Sequence, residues 1–347
     1  MNNSDYIFPV GSKKLISRFC KILSIASYIP EQSTSNDDII NDNKLPYKSN
    51  AILKSIGVER RHIAAEGCAD SDVLFESAIK CLAKLDLSPD RLSRLIVNKY
   101  YGDNLLPMTA SRLLGKLKCS KGIQSFDIDG GISSFLYSFD VASRFIATGD
   151  EYILLSSGGI NTRLVSKTDP RVAFLFGDAS ASILFGQSDR QHILSSYFYS
   201  NPQFYELVTA FSPYMWSDAL PRTEERFLEL YDTYKIGNWK IAEDFIREST
   251  LQIAHNILDE SGLEINSIDL ALVTENNIKI RELILDTLGI GEDKSISLIR
   301  DYGNTMSAML PLLLDYGFST GKIQEGMNIM LISLGEGISG GGLIYKV

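Results

Sequence analysis

The sequence predicts a mixed α/β fold, an αβαβα sandwich assembled from two similar halves. Two observations carry this prediction. Apolar strand-like runs alternate with stretches of helical periodicity, the pattern of sheets covered on both faces. The same order of elements then occurs twice: a helix followed by LDLSPDRLSRLIV in the first half is echoed by a helix followed by SGLEINSIDLALV in the second.

Each element follows from its residues. Cys20–Ile29 reads as a buried first strand, and Pro30 with the polar stretch Glu31–Asn43 reads as a loop. Ser71–Leu85 carries Val73, Leu74, Ala78, Ile79 and Leu82 at helical spacing, with Ser71 as N-cap. The turn Ser88-Pro89-Asp90 leads into the strand Leu92–Tyr100. Glu151–Ser157 is a strand ending at Gly158-Gly159, and Ala179–Gly186 is the next. In the second half Ile241–Ser261 is helical with Gly262 as its stop, and Ile268–Val273 is a strand. Asn328–Leu334 ends at Gly335-Glu336-Gly337, and Gly340–Val347 closes the chain. The near-continuous apolar strands point to parallel pairing. The boundaries are 1–190 for the first half and 191–347 for the second, which includes an aromatic insert over 195–238 that reads as interface or core filler.

Composition removes several classes of function. A net charge of -9 gives no basic field for nucleic acid or anionic lipid. The four cysteines, Cys20, Cys68, Cys81 and Cys119, form no CxxC pair, and with three histidines no metal site is expected. No apolar run reaches the roughly 20 residues that span a bilayer. The start MNNSDYIFPVGSKK has no apolar core behind a charged segment, so a cytoplasmic protein is expected.

Five stretches, in order along nearly the whole chain, resemble one family. Gly57-Val58-Glu59-Arg60-Arg61-His62-Ile63-Ala64-Ala65 resembles GI-x-ER-x-x-AA, and Phe126-Asp127-Ile128 with Phe135 resembles FD-[IV]-x-x-x-C-x-G-F. Phe176-Gly177-Asp178-Ala179-Ser180-Ala181 resembles FGDGAGA, Tyr302-Gly303-Asn304-Thr305-Met306-Ser307-Ala308 resembles YGNTSSA, and Gly335–Gly341 resembles a glycine-rich C-terminal turn. These are motifs of β-ketoacyl-ACP synthase III, a branch of the thiolase-like condensing enzymes. The resemblance implies a thiolase-like fold, a dimer, and acyl-CoA or acyl carrier protein thioesters as substrates with no separate cofactor. It also implies a cysteine at a strand-to-helix turn, activated by the helix dipole to accept an acyl group. A His and an Asn then stabilise the enolate formed on decarboxylation. On this reading the aromatic insert could cap an acyl tunnel, and Lys54–Arg61 is the local basic patch that could receive an acidic carrier.

The chain departs from the pattern where the chemistry lies. In a gapless count the cysteine position falls on Ile132, which cannot act as nucleophile, acid or base. Ser133 lies one residue beyond, so its hydroxyl is expected to point elsewhere and to serve tight helix packing. The His position falls on Glu275, or on Thr274 with a one-residue shift. A carboxylate about 4 Å from a developing enolate would cost around 4 kcal/mol at an effective dielectric near 20, roughly a thousandfold in rate. Asn304 is retained, either as the remaining oxyanion donor or as a turn-holding side chain. Asp178 reads as structural. Two functions follow. One is a catalytically degenerate partner, in a homodimer or in a heterodimer with a cysteine-containing condensing enzyme of fatty-acid or polyketide-type specialised metabolism. The other is an acyltransferase moving an acyl group from CoA or carrier protein to a small nucleophile, with Glu275 as base or Ser133 as nucleophile and Asn304 as oxyanion donor.

Overall fold

The computed structural model describes residues 8–9, 17–202, 208–210, 234–236, 239–335 and 339–347. The first half runs β1 (Cys20–Tyr28), β2 (Ser33–Ser35), α1 (Asn36–Asn43), α2 (Ser49–Ile56), β3 (Arg60–His62), α3 (Asp70–Ala83), β4 (Arg94–Lys99) and α4 (Thr109–Lys116). It continues through β5 (Gln124–Asp129), α5 (Ser134–Ala147), β6 (Tyr152–Gly159) and β7 (Ala179–Gln187). The second half runs β8 (Ile193–Ser200), β9 (Val208–Ala210), β10 (Tyr234–Ile236), α6 (Trp239–Ser261), β11 (Leu270–Val273) and α7 (Ile278–Leu288). A short α8 (Ile299–Tyr302), then α9 (Met309–Ser319), β12 (Asn328–Gly335) and β13 (Ser339–Lys346) complete it.

Two sheets of matching topology result. The first has the order β1-β7-β6-β4-β5 and the second β8-β13-β12-β11. The two superpose in order strand for strand, except that the first carries β5 as an additional edge. Pairing is mixed rather than parallel throughout. β4 runs parallel to β5 and β6, and β11 to β12, but β7 is antiparallel to β1 and β6, and β13 to β8 and β12. The sequence pattern reports burial on both faces and is blind to direction.

The helices form three layers around these sheets. α3 and α4 cover the outer face of the first sheet, and α6 and α7 that of the second. α5 and α9 lie between. α5 buries Phe135, Leu136, Phe139, Ala142 and Ile146, a helical stripe, and α9 is apolar nearly all round, with Met309, Leu310, Leu312, Leu313 and Leu314 buried. Both helices pack in one cluster with Ile96 and Leu155 of the first sheet and Leu272 and Leu331 of the second. Each such side chain stabilises the fold by about 1.5–3 kcal/mol relative to exposure. Pro311 is tolerated because it sits in the first turn of α9, where its missing N–H has no helical partner to lose.

Three local expectations change. The polar stretch Glu31–Asn43 is not all loop, because Ser35 and Asp38 form a capping box that starts α1. α3 begins one residue before Ser71, with the Asp72 carboxylate accepting from Ala69 N–H at 2.9 Å. In the aromatic insert, Tyr197 and Tyr199 are core residues of β8, and Tyr199 meets the Phe8 ring edge-on at 5.1 Å. Phe204, Tyr205, Phe211, Tyr214 and Trp216 lie outside the described residues, as does the 336–338 part of the glycine-rich turn. Among the described residues no helix is long and apolar enough to cross a membrane.

Candidate functional site

The end of β5 leads through Gly130 and Gly131 into α5, and Ile132 stands in that turn. Its side chain is 4% exposed and packs with Val172, Phe176 and Met306, beside Tyr100, Val165 and Leu175. The two serines that follow diverge. Ser133 Oγ lies 2.7 Å from Ser339 Oγ of β13. Ser134 Oγ donates to Gly131 O at 2.6 Å and accepts from Asn98 Nδ2 of β4 at 2.8 Å. The end of β12 closes on Ser133 from the other side: a Cβ on Gly335 would lie 2.7 Å from Ser133 Oγ. Helix-on-sheet packing therefore accounts for the small residue at 133.

The loop after β11 separates the groups that the sequence placed together. Glu275 is buried, its Oε2 accepts from Leu298 N–H at 2.9 Å, and its Oε1 lies 3.3 Å from Arg281 Nε. Arg281 also forks onto Glu292 at 2.6 and 2.7 Å. Burial pushes the Glu275 carboxyl above its ordinary range, with the Leu298 amide and Arg281 acting in the opposite direction. Thr274 faces the other way, its Oγ1 accepting from Leu334 N–H at 3.1 Å, one residue before Gly335. Of the two positions open to the imidazole, Thr274 is thus the one on the Ser133 side. Asn277 Oδ1 caps α7 by accepting from Ile280 N–H at 3.0 Å.

The Asn304 side chain joins its own turn to the loop after β11. Its Oδ1 accepts from Met306 N–H at 2.8 Å, and its Nδ2 donates to Asn276 O at 3.3 Å. Its backbone pairs with Leu175 O and Gly177 N. Met306, at φ 54°, passes from this turn into the Ile132 cluster. Asn304 and Ile132 are therefore neighbours through Met306, whereas no hydrogen bond among the described residues joins Ser133 to Glu275 or Asn304.

Two models of the 3-oxoacyl-[acyl-carrier-protein] synthase III family match the chain, one over residues 126–202 and the C-terminal one over 258–347. The chain is β-ketoacyl-ACP synthase III-like. A β-ketoacyl-[acyl-carrier-protein] synthase III of Neisseria gonorrhoeae is 28% identical over 340 residues, covering 95% of this chain and 99% of the relative. One of Coxiella burnetii is 26% identical over 333 residues, with the same coverage. The fold is shared with the 3-oxoacyl-[acyl-carrier-protein] synthase III of Aquifex aeolicus at TM-score 0.82, 24% identity, covering 94% of this chain and 100% of that one. It is shared equally with the priming β-ketosynthase of a polyketide pathway, at TM-score 0.83 and 19% identity over 97% and 98% of the two chains.

Within this synthase III fold the cysteines and Asp178 are structural in geometry. Cys20 and Cys81 are buried thiols, pushed up by burial to about 12 and about 11, so neither is a ready thiolate. Cys119 sits in the loop beside Asp90 and Lys121 and is also raised by burial. Among the described residues no group of His, Cys, Asp or Glu could hold a metal ion. Asp178 accepts from the amides of Ala64, Asn161 and Thr162 and from the Thr162 hydroxyl, at 2.7–2.9 Å. It pins the 160–162 loop to the strand end after β3.

Asp70, which no motif marked, holds the same loop from α3, accepting from Ile160 N–H at 3.0 Å. Burial first, and then the nearby charges of Asp103 and Asp178, push it up to about 6. A folded-state pKa raised above the unfolded value contributes stability that is present below the unfolded pKa and lost as pH rises through about 6. Asp70→Asn keeps an acceptor without the charge. It is expected to be more stable than the parent by about 1–3 kcal/mol at pH 8, with no advantage below about pH 4. Urea midpoints across pH check this, and a gap that is constant with pH would refute it.

Proposed function

We propose that this chain is a catalytically degenerate synthase III subunit that pairs with a cysteine-bearing condensing enzyme of fatty-acid or polyketide-type metabolism. The observation that carries this reading is the packing of Ile132. A nucleophile in that turn needs an ionisable group and an approach for the thioester, and here a hydrocarbon side chain is closed over by Val172, Phe176 and Met306. The neighbouring polar groups do not compensate. The Glu275 carboxyl is ion-paired with Arg281 and accepts from the Leu298 amide, and the Asn304 amide is spent on the Met306 N–H and the Asn276 carbonyl.

The first sheet supports the pairing. β5 is an edge strand, and its Asp127 accepts from the amides of Thr109 and Ala110 at 2.9 and 2.7 Å, which anchors the preceding loop beside it. That loop presents Leu105 and Leu106 at 79% and 80% exposure. An unpaired edge beside exposed leucines is a surface that a second condensing-enzyme chain would cover, strand against strand.

The test reads mass and company together. The purified chain, incubated with a panel of acyl-CoAs beside Ser133→Ala, is expected to gain no acyl mass. Chain isolated from its own cells is expected to carry a cysteine-bearing condensing enzyme in equal amount. An acyl adduct lost in Ser133→Ala would establish a covalent serine acyltransferase instead. Turnover of acyl-CoA by the isolated homodimer, abolished in Glu275→Gln, would establish direct transfer.

A further inference from the structure

A cavity of about 400 Å³ opens between α1, β3, the 64–67 segment and the 160–167 loop. Ser133, Glu275 and Asn304 do not line it, and it meets the Ile132 cluster only through Val165 and Phe176. Its volume falls within the range of small-molecule sites. Three cations line it: Arg61, Arg163 and Lys167.

Arg61 is the decisive one. It is 1% exposed, yet no carboxylate pairs with it among the described residues. Its guanidinium donates to Thr34 O at 3.2 Å, Asn36 Oδ1 at 2.5 Å and Phe174 O at 2.6 Å, while its Nε has no partner. A buried charge satisfied only by neutral oxygens is costly unless an anion completes it. Burial also draws its pKa down to about 10, so an arriving anion would stabilise the charged form. Arg163 donates to Cys68 O, and both it and Lys167 are exposed. Two carboxylates share the wall, Asp42 and Glu66, and are likewise exposed, so water and salt screen these four charges alike and leave the buried Arg61 as the least screened charge of the site. The rest of the lining is mostly apolar.

We propose that this cavity binds a small organic acid, with its carboxylate among Arg61, Arg163 and Lys167 and a short apolar body against Ile63, Val165 and Phe176. The site is independent of whether Ile132 has ended condensation, because no group of that turn contributes to it. A carboxylate would accept a charge-assisted hydrogen bond from the unpartnered Arg61 Nε–H, and the apolar walls favour a hydrocarbon chain over a fully hydrated anion.

Calorimetric titration of the full chain with hexanoate, hexanamide and inorganic phosphate tests this. Hexanoate is expected to bind saturably, and hexanamide, of the same shape without charge, is not. Arg61→Gln removes the buried charge, and since it risks the fold, the double variant Arg163→Gln/Lys167→Gln carries the test. With its melting temperature unchanged, this variant is expected to lose hexanoate affinity by about tenfold or more, the scale of one charge-assisted hydrogen bond. Equal binding of amide and acid, no saturable heat at millimolar hexanoate, phosphate binding tighter than hexanoate, or an unchanged double variant would each overturn the proposal.

Discussion

Arg281→Met is expected to destabilise the protein by about 3–5 kcal/mol, the cost of leaving a buried charge without its partner. Arg281 is 2% exposed and stands between Glu275, 1% exposed, and Glu292, whose side chain is 67% exposed. The loss of the Glu292 contact counts for little, because exposed ion pairs are worth about 1 kcal/mol or less. Nearly all the effect therefore falls on Glu275. Its carboxyl is already raised by burial against the pull of Arg281, and removing the guanidinium raises it further. The sign follows: stability conferred by a raised carboxyl is lost as pH rises, so the defect of Arg281→Met is expected to be larger at pH 8 than at pH 5. The double variant Arg281→Met/Glu275→Met removes both charges and is expected to recover most of the loss, since apolar replacement of a buried pair is often neutral or better. Denaturant unfolding of the three chains at two pH values measures the cycle. A single variant that costs under about 1 kcal/mol would mean that Glu275 is not held as described and is free for other work.

That pair also shows where sequence reading stops. The strands Arg94–Lys99, Leu270–Val273 and Asn328–Gly335 and the helix Asp70–Ala83 were legible within two residues of their ends, because continuous apolar runs and helical spacing report burial directly. The duplicated order was legible for the same reason. Strand direction was not, since β6 and β7 carry the same apolar pattern whichever way they pair. Nor was the direction of the Glu275 side chain. In the loop after β11 a shift of one residue turns a side chain to the opposite face, and only the Leu298 amide and Arg281, more than five residues away in sequence, decide which face holds the carboxyl. The place of Ile132 in the turn between β5 and α5 was legible by counting. Its closure by Met306 was not, because that contact depends on a positive-φ residue in the Asn304 turn. Asp70 gave no signal at all, and Arg61 was marked only within a motif and as the end of the Lys54–Arg61 basic patch, whereas it is buried: a single buried charge has no periodicity, and its importance lies in partners contributed by distant segments.

Gly158→Ala is expected to cost more than about 4 kcal/mol or to prevent folding, the range reserved for a clash that the surroundings cannot absorb. Two separate causes add. Gly158 has φ 120°, a conformation that L residues rarely adopt, and a Cβ there would overlap the Ala179 carbonyl oxygen and come within 2.9 Å of both Ser180 Cα and Ala308 Cβ. The Ala179 and Ser180 atoms are backbone of β7, held in register by the Gly158–Ser180 and Gly159–Ala179 pairs. Ala308 belongs to the segment between the Asn304 turn and α9, so the glycine is also where the second half of the chain rests on the first sheet. None of these neighbours is a flexible side-chain end that could swing away. Gly262→Ala separates the two causes: that glycine also has positive φ, 69°, but a Cβ would meet nothing within 4 Å. Its substitution is expected to cost about 1–2 kcal/mol from backbone conformation alone. Soluble yield and guanidinium midpoints of the two variants give the comparison. If Gly158→Ala proved as mild as Gly262→Ala, the close approach of β6, β7 and the Asn304 segment would be wrong, and with it the packing that brings Met306 over Ile132.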